Sequence, residues 1–413
     1  MNILDALPIN ETLTVESQAA VAEAVRCAAA EGEAVYPIGG GTMLDIGGKP
    51  TRPGKALSLA KLNRIVAYPA DDLTITVEAG TTYRELQQVL LQKRQCLPCD
   101  VPYAEHATIG GLLALGFSGP RRMGYGPIRD YLLGVTAVDG RGEKYSCGGR
   151  VVKNAAGYNL GRFLVGSLGT LSIITQVTFM VRPLPETAAL LACELPDLDT
   201  VERLLAAMVS SPVRPVAVEL SAGQLPSGNP LFGPLTEGCL GRLYVGLEGF
   251  REEVEWMLEH LRREWSRLGM TAPTLMPELK TDKLWRYLTD FPAHLGIRVL
   301  PSKLTAVLKE LLRIVPDGAV QAGGDGLICT QLPPHLVDEQ AILSGAYAAA
   351  LSAIRTAVAK HHGKMVVFRQ PPRAALSIGE LWGPPDAETL LRQAVKERFD
   401  PHNILNPDRL GYF

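Results

Sequence analysis

Three glycine-rich stretches, separated by long intervals, constrain the fold of this chain more than any other feature. The first, Gly39–Gly41, directly follows the predicted strand Ala34–Pro37. The second spans residues 110–126, and the third runs from Gly157 to Gly169 and leads into the apolar stretch Ser172–Thr178. Glycine has no Cβ atom, so the backbone at these loops can come close to a ligand. Two remote loops of this kind favour a site that grips the pyrophosphate of a dinucleotide from two sides.

The first loop matches neither of the two standard phosphate-binding motifs. Residues 37–42 read PIGGGT, without the G-x-G-x-x-G spacing of a Rossmann turn and without the Gly-Lys-Ser/Thr ending of a P-loop. Three successive glycines still allow several N–H groups to converge on an anion. Taken alone, the loop is about equally compatible with a tight turn and with a phosphate site.

Periodicity divides the chain into two α/β regions. In the first, we predict a helix at Glu16–Glu31, a half-buried strand at Leu73–Glu78, and a helix capped by Thr81 or Thr82. The two prolines of Arg182–Pro185 break pairing and stiffen the connection, which predicts a domain boundary there. Beyond it, strands separated by long helices predict a layered α+β domain with helices on one face of a sheet.

Length and charge exclude several classes of protein. A chain of 413 residues is too long for one ordinary core, and a formal net charge of -2 gives no electrostatic reason to bind nucleic acid. The uncharged stretch Phe163–Val181 is rich in glycine and β-branched residues, so we predict a turn and a buried strand rather than a transmembrane span. The N-terminus lacks the basic-then-apolar order of a secretory signal. These features predict a cytoplasmic protein.

The cysteines point to a reducing compartment. There are seven, they are scattered, and only Cys96 and Cys99 form a CxxC pair. A zinc site or iron–sulfur cluster needs about four ligands, and no second close pair exists. The pair is therefore interpreted as two loop cysteines, and we predict no metal.

The glycine-rich stretches belong to an ordered series of motifs that resembles a known family. The series is IGGGT (38–42), TIGG (108–111), GPIRDYLLGV (126–135), KNAAGYNL (153–160) and GSLGTLSIIT (166–175). It resembles the PCMH-type FAD-binding domain of the vanillyl-alcohol oxidase superfamily. The tail FDPHNILNPDR (399–409) is similar to the C-terminal signature of the FAD-linked oxidases in that superfamily. Within it, residues 118–134 and 151–171 most resemble the FAD-binding E subunit of glycolate oxidase.

The resemblance implies an α+β fold with three parts. Residues 1–184 are expected to form a two-subdomain PCMH-type FAD-binding domain, and residues 185–395 an α+β cap or substrate domain. Residues 396–413 are expected to be a tail that packs back on the FAD domain. The strong resemblance covers Val35–Pro183 and Lys396–Arg409, whereas the middle of the chain is matched only by its layout.

The resemblance also implies which residues bind FAD. The first loop should contact the pyrophosphate through its backbone, a second wall should face it, and further residues should line the approaches of the adenine and the flavin. In that order the residues are Ile38, Gly39, Gly40, Gly41 and Thr42; Pro102, Thr108, Ile109, Gly110 and Gly111; Ser118, Gly119, Gly169 and Ile173.

The same comparison predicts that the FAD is held non-covalently. Members of the superfamily that tether their flavin use a histidine near the first loop or a cysteine before the second. Thr42 and Ala104 occupy the nearest positions here. His106 lies close by, but a lone loop histidine is more often a surface residue.

Catalysis is where this sequence departs from the family pattern. Glycolate and D-lactate members carry an H-x-G-D-G-N-x-H motif, whose histidines can hold a metal. Residues 322–329 read AGGDGLIC, so the Gly-Asp-Gly turn remains while Ala322, Leu327 and Cys329 replace polar residues. Alanine and leucine cannot ligate a metal. Arg298 and Arg369 are the candidate catalytic residues, since each can bind a carboxylate bidentately, although a surface or interdomain ion pair is an equal alternative.

Three functions are compatible with this sequence. In the first, the chain is an FAD-binding subunit of a glycolate oxidase complex, an electron relay or accessory beside a catalytic flavoprotein subunit and an iron–sulfur subunit. Such a complex could attach the chain to the inner membrane through its partners. In the second, it is a self-sufficient FAD-dependent dehydrogenase of a 2-hydroxy acid such as D-lactate or glycolate. In the third, it is a structural subunit without flavin, which the intact glycine loops disfavour.

Overall fold

The computed structural model describes residues 7–149, 160–223, 235–270, 274–276 and 278–411. They form two compact units. The first unit comprises the chain up to Ser118, Pro127–Leu184 and the chain from Pro384 onward. The second comprises Gly119–Gly126 and Pro185–Gly383. The predicted motif at residues 153–160 lies outside the described residues except for its last position.

The elements are numbered here in chain order. The strands are β1 (Ile9–Thr14), β2 (Ala34–Ile38), β3 (Gly54–Ser58), β4 (Ile65–Ala67), β5 (Thr74–Glu78), β6 (Gln95–Cys96), β7 (Leu132–Asp139), β8 (Lys144–Gly148), β9 (Ser172–Met180), β10 (Arg182–Pro183), β11 (Thr187–Leu195), β12 (Ala217–Gly223), β13 (Gly241–Gly249), β14 (Thr274–Met276), β15 (Leu295–Arg298), β16 (Ala319–Gly323), β17 (Leu327–Gln331) and β18 (Lys364–Val367). The helices are α1 (Gln18–Glu31), α2 (Tyr83–Leu91), α3 (Ile109–Leu115), α4 (Arg122–Tyr125), α5 (Gly161–Leu164), α6 (Leu198–Ser210), α7 (Arg251–Arg267), α8 (Glu278–Thr289), α9 (Leu304–Ile314), α10 (Pro334–Val337), α11 (Glu339–Leu343), α12 (Ala346–Lys360), α13 (Ile378–Trp382) and α14 (Thr389–Phe399).

Two main sheets build the first unit. One is parallel, in the order β1-β3-β2, and the other is antiparallel, in the order β4-β5-β9-β7-β8. The C-terminal tail joins the parallel sheet, because Leu405 bridges to Val35 and the N–H of Asn406 donates to the Val35 carbonyl at 2.9 Å. The tail is thereby fixed beside the loop that follows β2.

Helix caps explain where the first two helices start. The Ser17 hydroxyl accepts a hydrogen bond from the N–H of Ala20 at the start of α1, and Gly32 ends that helix in the left-handed conformation with φ 70°. At α2, Thr82 and Glu85 form a capping box, in which each side chain binds the backbone N–H of the other. The predicted threonine cap is confirmed at Thr82.

Strand β5 is buried on both faces, so the prediction of a half-buried strand is wrong. It lies between β4 and β9, and its polar residues are covered as well as its apolar ones. Thr76 contacts Thr178 across the sheet, with 2.9 Å between the hydroxyl oxygens, and Glu78 pairs with Arg64. Thr76 and Glu78, at alternate positions of β5, are therefore buried beside polar partners and do not form an exposed face.

Two predictions about the stretch around residue 180 have different outcomes. Ser172–Met180 is a largely buried strand, as predicted, and among the described residues no helix is long and apolar enough to cross a membrane. Arg182 and Pro183, however, pair with Cys96 and Gln95 in a short antiparallel ladder. The expectation that the prolines prevent pairing is wrong, because Pro183 sits at the end of a two-residue strand where proline is tolerated.

The second unit is built on one antiparallel sheet in the order β14-β11-β13-β12-β16-β17-β15-β18. One large apolar cluster packs helices α6, α7, α9 and α12 against this sheet. A separate cluster joins Leu284, Trp285 and Leu288 of α8 to Leu190 and Tyr244 of the sheet. Leu190 and Leu191 are neighbours on β11 but belong to different clusters, so α8 covers the opposite face. The prediction of helices on one face only is therefore wrong.

Residues Gly119–Gly126 are an eight-residue excursion of the chain into the second unit. The N–H of Gly124 donates to the Val216 carbonyl at 3.0 Å. The Glu248 carboxylate accepts hydrogen bonds from the Arg121 guanidinium, at 3.0 Å, and from the Tyr125 hydroxyl, at 2.5 Å. The chain thus leaves the first unit after Ser118 and returns to it at Pro127. Between these points, backbone and side-chain hydrogen bonds hold the eight residues to the second unit.

Candidate cofactor site

A pocket in the first unit lies between the two glycine-rich loops. One wall follows β2, and the other comprises the approach to α3 and the helix itself. The C-terminal tail and residue 168 complete the lining. The lining residues are Pro37, Gly39, Gly40, Gly41, Thr42, Met43, Leu44, Ile46, Val101, Pro102, Ala107, Thr108, Gly111, Leu112, Ala114, Leu115, Leu168, Asn406 and Arg409.

The two walls touch each other through glycine. A Cβ atom on Gly39 would lie 2.0 Å from the Thr108 hydroxyl oxygen, and one on Gly40 would lie 1.7 Å from the His106 carbonyl oxygen. Both distances are far inside van der Waals contact. Glycine at these two positions is therefore required for the loops to approach each other, in addition to any contact with a ligand.

The Thr108 hydroxyl is a polar atom that the protein itself does not satisfy. Thr108 is 5% exposed and precedes α3, yet its side chain makes no capping bond. Its Oγ1 has no hydrogen-bond partner among the described residues. A buried hydroxyl without a partner costs about 1–3 kcal/mol, so a ligand that bonds to it stabilises the site. The residues of the pocket thus fit a polar ligand such as the phosphate portion of a dinucleotide.

Two residues of the C-terminal tail reach this pocket. The side-chain amide of Asn406 donates to the Leu168 carbonyl at 2.7 Å. The Arg409 guanidinium donates to the Ile46 carbonyl at 2.8 Å and is 5% exposed. Burial lowers the pKa of Arg409 to about 10, although Asp45 and Tyr36 oppose this shift. Neither tail residue was among the predicted FAD-binding residues, even though the tail itself carries a recognisable signature.

The structure brings part of the predicted residue set together. The predicted residues that line the pocket are Gly39, Gly40, Gly41, Thr42, Pro102, Thr108 and Gly111. Ile38, Ile109 and Gly110 are buried neighbours of these lining residues in the chain. A Cβ on Gly169 would lie 3.1 Å from the Asn406 amide nitrogen, so Gly169 adjoins the pocket.

The remaining predicted residues are not brought to this pocket. The Ser118 hydroxyl accepts a hydrogen bond from the N–H of Ile128 at 3.4 Å. Ile173 is 1% exposed and packs in an apolar cluster with Val21 and Val25 of α1. Gly119 belongs to the second unit, where its carbonyl accepts a hydrogen bond from Arg122 at 2.9 Å. Their predicted roles beside adenine and flavin stay predictions.

In the second unit, the Gly-Asp-Gly turn binds an arginine. Arg122 donates to both carboxylate oxygens of Asp325, at 2.8 and 2.7 Å, and lies 3.5 Å from Glu219. Burial disfavours the charge on Arg122, but the two carboxylates outweigh burial and its pKa is raised. Burial also raises the pKa of the neighbouring Cys329 thiol to about 12. Arg122 was not among the predicted site residues, and it lies 203 positions from its partner in the sequence.

The two predicted catalytic arginines lie on or just after the last two strands in the order of this sheet, β15 and β18. Arg298 is exposed at the end of β15, directly opposite Lys364 of β18. Arg369 follows β18, and its N–H donates to the His294 carbonyl at 3.2 Å. Burial and the charge of Arg369 lower the pKa of His294, whose Nδ1 accepts a hydrogen bond from the N–H of Leu332 at 2.9 Å. Both features favour the neutral form of His294.

No metal centre is evident in the described parts of the chain. Within them, no three side chains of histidine, cysteine, aspartate or glutamate cluster in a way that could hold an ion. Ala322 is packed in the main apolar cluster of the second unit, 1% exposed, and Asp325 is engaged by Arg122.

Comparison with known proteins relates part of this chain to FAD-binding proteins. Residues 11–148 match the family of FAD binding domains. Glycolate oxidase subunit GlcE of Escherichia coli is 39% identical over 149 residues, which is 36% of this chain and 42% of that subunit. The matched stretch is therefore less than half of that relative. D-2-hydroxyglutarate dehydrogenase of Xanthomonas citri pv. viticola is 26% identical over 94% of this chain and 86% of its own length.

The solved structures agree on the fold. Alkyldihydroxyacetonephosphate synthase matches with a TM-score of 0.69 at 18% identity, covering 97% of this chain and 77% of that one. At this identity the likeness shows the architecture alone, and it confirms the predicted α+β fold. The matched residues 11–148 include both glycine-lined walls of the pocket, and FAD is the cofactor that this match indicates.

Proposed function

We propose that this protein is an FAD-dependent oxidoreductase of CH–OH groups that serves as the FAD-binding subunit of a glycolate-oxidising complex. In this role it relays electrons or completes the assembly, beside a catalytic flavoprotein subunit and an iron–sulfur subunit. When bound, FAD would serve as the acceptor of a hydride or of electrons. The loops of the first unit would hold it non-covalently. The names of the relatives, a glycolate oxidase subunit and a 2-hydroxy-acid dehydrogenase, support the substrate class.

The Arg122–Asp325 ion pair is the observation that carries the accessory role. Oxidation of a 2-hydroxy acid requires a group that binds the carboxylate and a base that takes the hydroxyl proton. At the Gly-Asp-Gly turn, the acidic side chain is already neutralised by a buried guanidinium. Ala322 and Leu327 beside it offer neither a base nor a ligand. This turn is therefore suited to structure rather than to proton transfer.

A second candidate function is a self-sufficient 2-hydroxy-acid dehydrogenase, and one observation favours it. Arg298 and Lys364 are direct cross-strand partners at one end of the sheet, and both are exposed. A guanidinium at this position can bind a carboxylate through two parallel hydrogen bonds. In this alternative Arg298 and Arg369 bind the substrate carboxylate.

An anaerobic absorbance experiment on the full chain separates the two functions. The flavin spectrum is recorded before and after addition of glycolate or D-lactate, first with this chain alone and then with its partner subunits. For an accessory subunit, we expect the flavin band to stay unbleached until the partners are present. Bleaching of this chain alone by either acid would contradict the accessory role and favour the dehydrogenase.

The proposed location follows from the proposed complex. A cytoplasmic subunit of this kind would reach the inner membrane through its partners. Fractionation of cells with and without the partner subunits tests this, because the chain should leave the membrane fraction when they are absent.

A further inference from the structure

Arg409 is the charged residue among the described residues that line the cofactor pocket. The rest of the lining is apolar or neutral. The diphosphate of a dinucleotide is negatively charged at neutral pH, and an anion that leaves water needs donors or a countercharge. Glycine-loop N–H groups supply dipoles, whereas Arg409 supplies a full positive charge.

The guanidinium of Arg409 retains donors for a ligand. One of its N–H groups binds the Ile46 carbonyl, and this is the hydrogen bond that it donates within the described chain. A guanidinium carries five N–H donors in a fixed planar arrangement that suits two phosphate oxygens at once. Burial opposes its charge, and an anion in the pocket would relieve that opposition.

The tail that carries Arg409 is fixed by several hydrogen bonds to the first unit. The buried Lys396 donates to Asp400 at 2.7 Å and to the Thr170 carbonyl at 2.7 Å. Asp400 in turn accepts the N–H of Leu405 at 2.7 Å. Beyond this, the N–H of Gly48 donates to the Arg409 carbonyl at 3.0 Å. The position of Arg409 is therefore set by the folded first unit.

We propose that Arg409 is the cation that binds the diphosphate of FAD, so that the C-terminal tail is a third wall of the cofactor site. The inference rests on the FAD assignment and not on the identity of the hydroxy acid. It adds a charged contact, from the opposite end of the chain, to the two glycine-rich loops.

The test measures ligand binding to flavin-free full-length protein, with FAD, ADP and riboflavin as probes. Arg409→Met keeps the bulk of the buried side chain and removes its charge, and Arg409→Lys keeps the charge. Arg52→Gln is the control, because Arg52 also binds the tail, through the Asn403 carbonyl at 2.9 Å, but does not line the pocket. Thermal unfolding of each flavin-free variant establishes that it is folded.

We expect Arg409→Met to raise the Kd for FAD and for ADP about 10- to 100-fold, with riboflavin unaffected. The salt dependence of FAD binding should disappear in this variant and persist in Arg409→Lys. If Arg409→Met does not fold, Arg409→Gln provides the same comparison. An unchanged Kd for FAD, or an equal loss in Arg52→Gln, overturns the proposal. Because no hydroxy acid is present, failure of the proposed oxidation leaves this result unaffected.

Discussion

The guanidinium of Arg122 and the carboxylate of Asp325 form a two-point ion pair, with Nε–Oδ2 at 2.8 Å and a terminal nitrogen to Oδ1 at 2.7 Å. The Arg122 side chain is 9% exposed, and the adjacent Glu219 side chain is 2% exposed. The pair joins the eight-residue excursion Gly119–Gly126 to the Gly-Asp-Gly turn of the second unit.

Removal of the Arg122 charge should destabilise the protein strongly. Arg122→Ala leaves Glu219 as a buried carboxylate next to Asp325 without their shared cation, so we expect the free energy of unfolding to fall by about 3–5 kcal/mol. Arg122→Lys should recover only part of this, because an ammonium cannot reproduce the two-point geometry. Denaturant unfolding measures both. Arg129→Ala is the control, since its contact with Asp130 is exposed, and a loss as large in that variant would contradict the explanation.

Glu78 should make the stability of the first unit sensitive to acid. Burial raises the pKa of Glu78, but hydrogen bonds from Arg64 outweigh burial and hold it below the usual range. A carboxylate of this kind contributes stability above the unfolded-state pKa of about 4.3 and loses it as the pH falls further. Wild type should therefore lose more unfolding free energy than Glu78→Gln between about pH 5 and pH 3. Urea unfolding at both pH values checks this, and equal losses would contradict it.

Thr108→Val should separate stability from cofactor affinity. The substitution removes a buried hydroxyl that has no partner among the described residues, so the flavin-free protein should be as stable as wild type or more so. FAD affinity should fall about five- to tenfold, because the ligand loses one hydrogen bond. Thr81→Val is a matched control, since Thr81 is also buried and its hydroxyl likewise has no hydrogen-bond partner in the described parts of the chain, but it lies outside the pocket lining. A similar loss of FAD in that variant would contradict the role of Thr108.

Two neighbouring glycines of the first loop should respond differently to alanine. Gly40→Ala places a methyl group against the His106 carbonyl, so the two walls must separate, and thermal stability and flavin retention should fall together. A Cβ on Gly41 meets nothing within 4 Å, but its φ of 69° disfavours alanine, so Gly41→Ala should lose only about 1–2 kcal/mol. Equal behaviour of the two variants in thermal unfolding would show that the loop contact is unimportant.

The sequence predicted best where local chemistry decides the structure. Thr82 caps α2 through a hydroxyl and a glutamate three residues later, and both are visible in the sequence. The glycine-rich loops likewise indicated a dinucleotide site, because glycine lets two remote stretches of backbone come close to a pyrophosphate. Such signals are carried by residues close together in the chain.

Contacts between distant segments could not be predicted in this way. Arg122 and Asp325 are brought together only by the fold of the second unit, and Arg409 reaches a pocket formed mainly by residues before position 116. The burial of β5 was mispredicted for the same reason, since the partners of its Thr76 and Glu78 side chains, Thr178 and Arg64, lie elsewhere in the chain. Neither residue type nor spacing specifies these partners.

The excursion Gly119–Gly126 also limits how such a protein can be modified by recombination. Residues 185–383 form most of the second unit, so an obvious chimera would replace them with the corresponding part of a relative with another specificity. Glu219, Glu248 and Asp325 of that part, however, require Arg121, Arg122 and Tyr125 as partners. A functional chimera should therefore take residues 119–126 and residues 185–383 from the same relative. Substitutions in these two segments are expected to depend on each other.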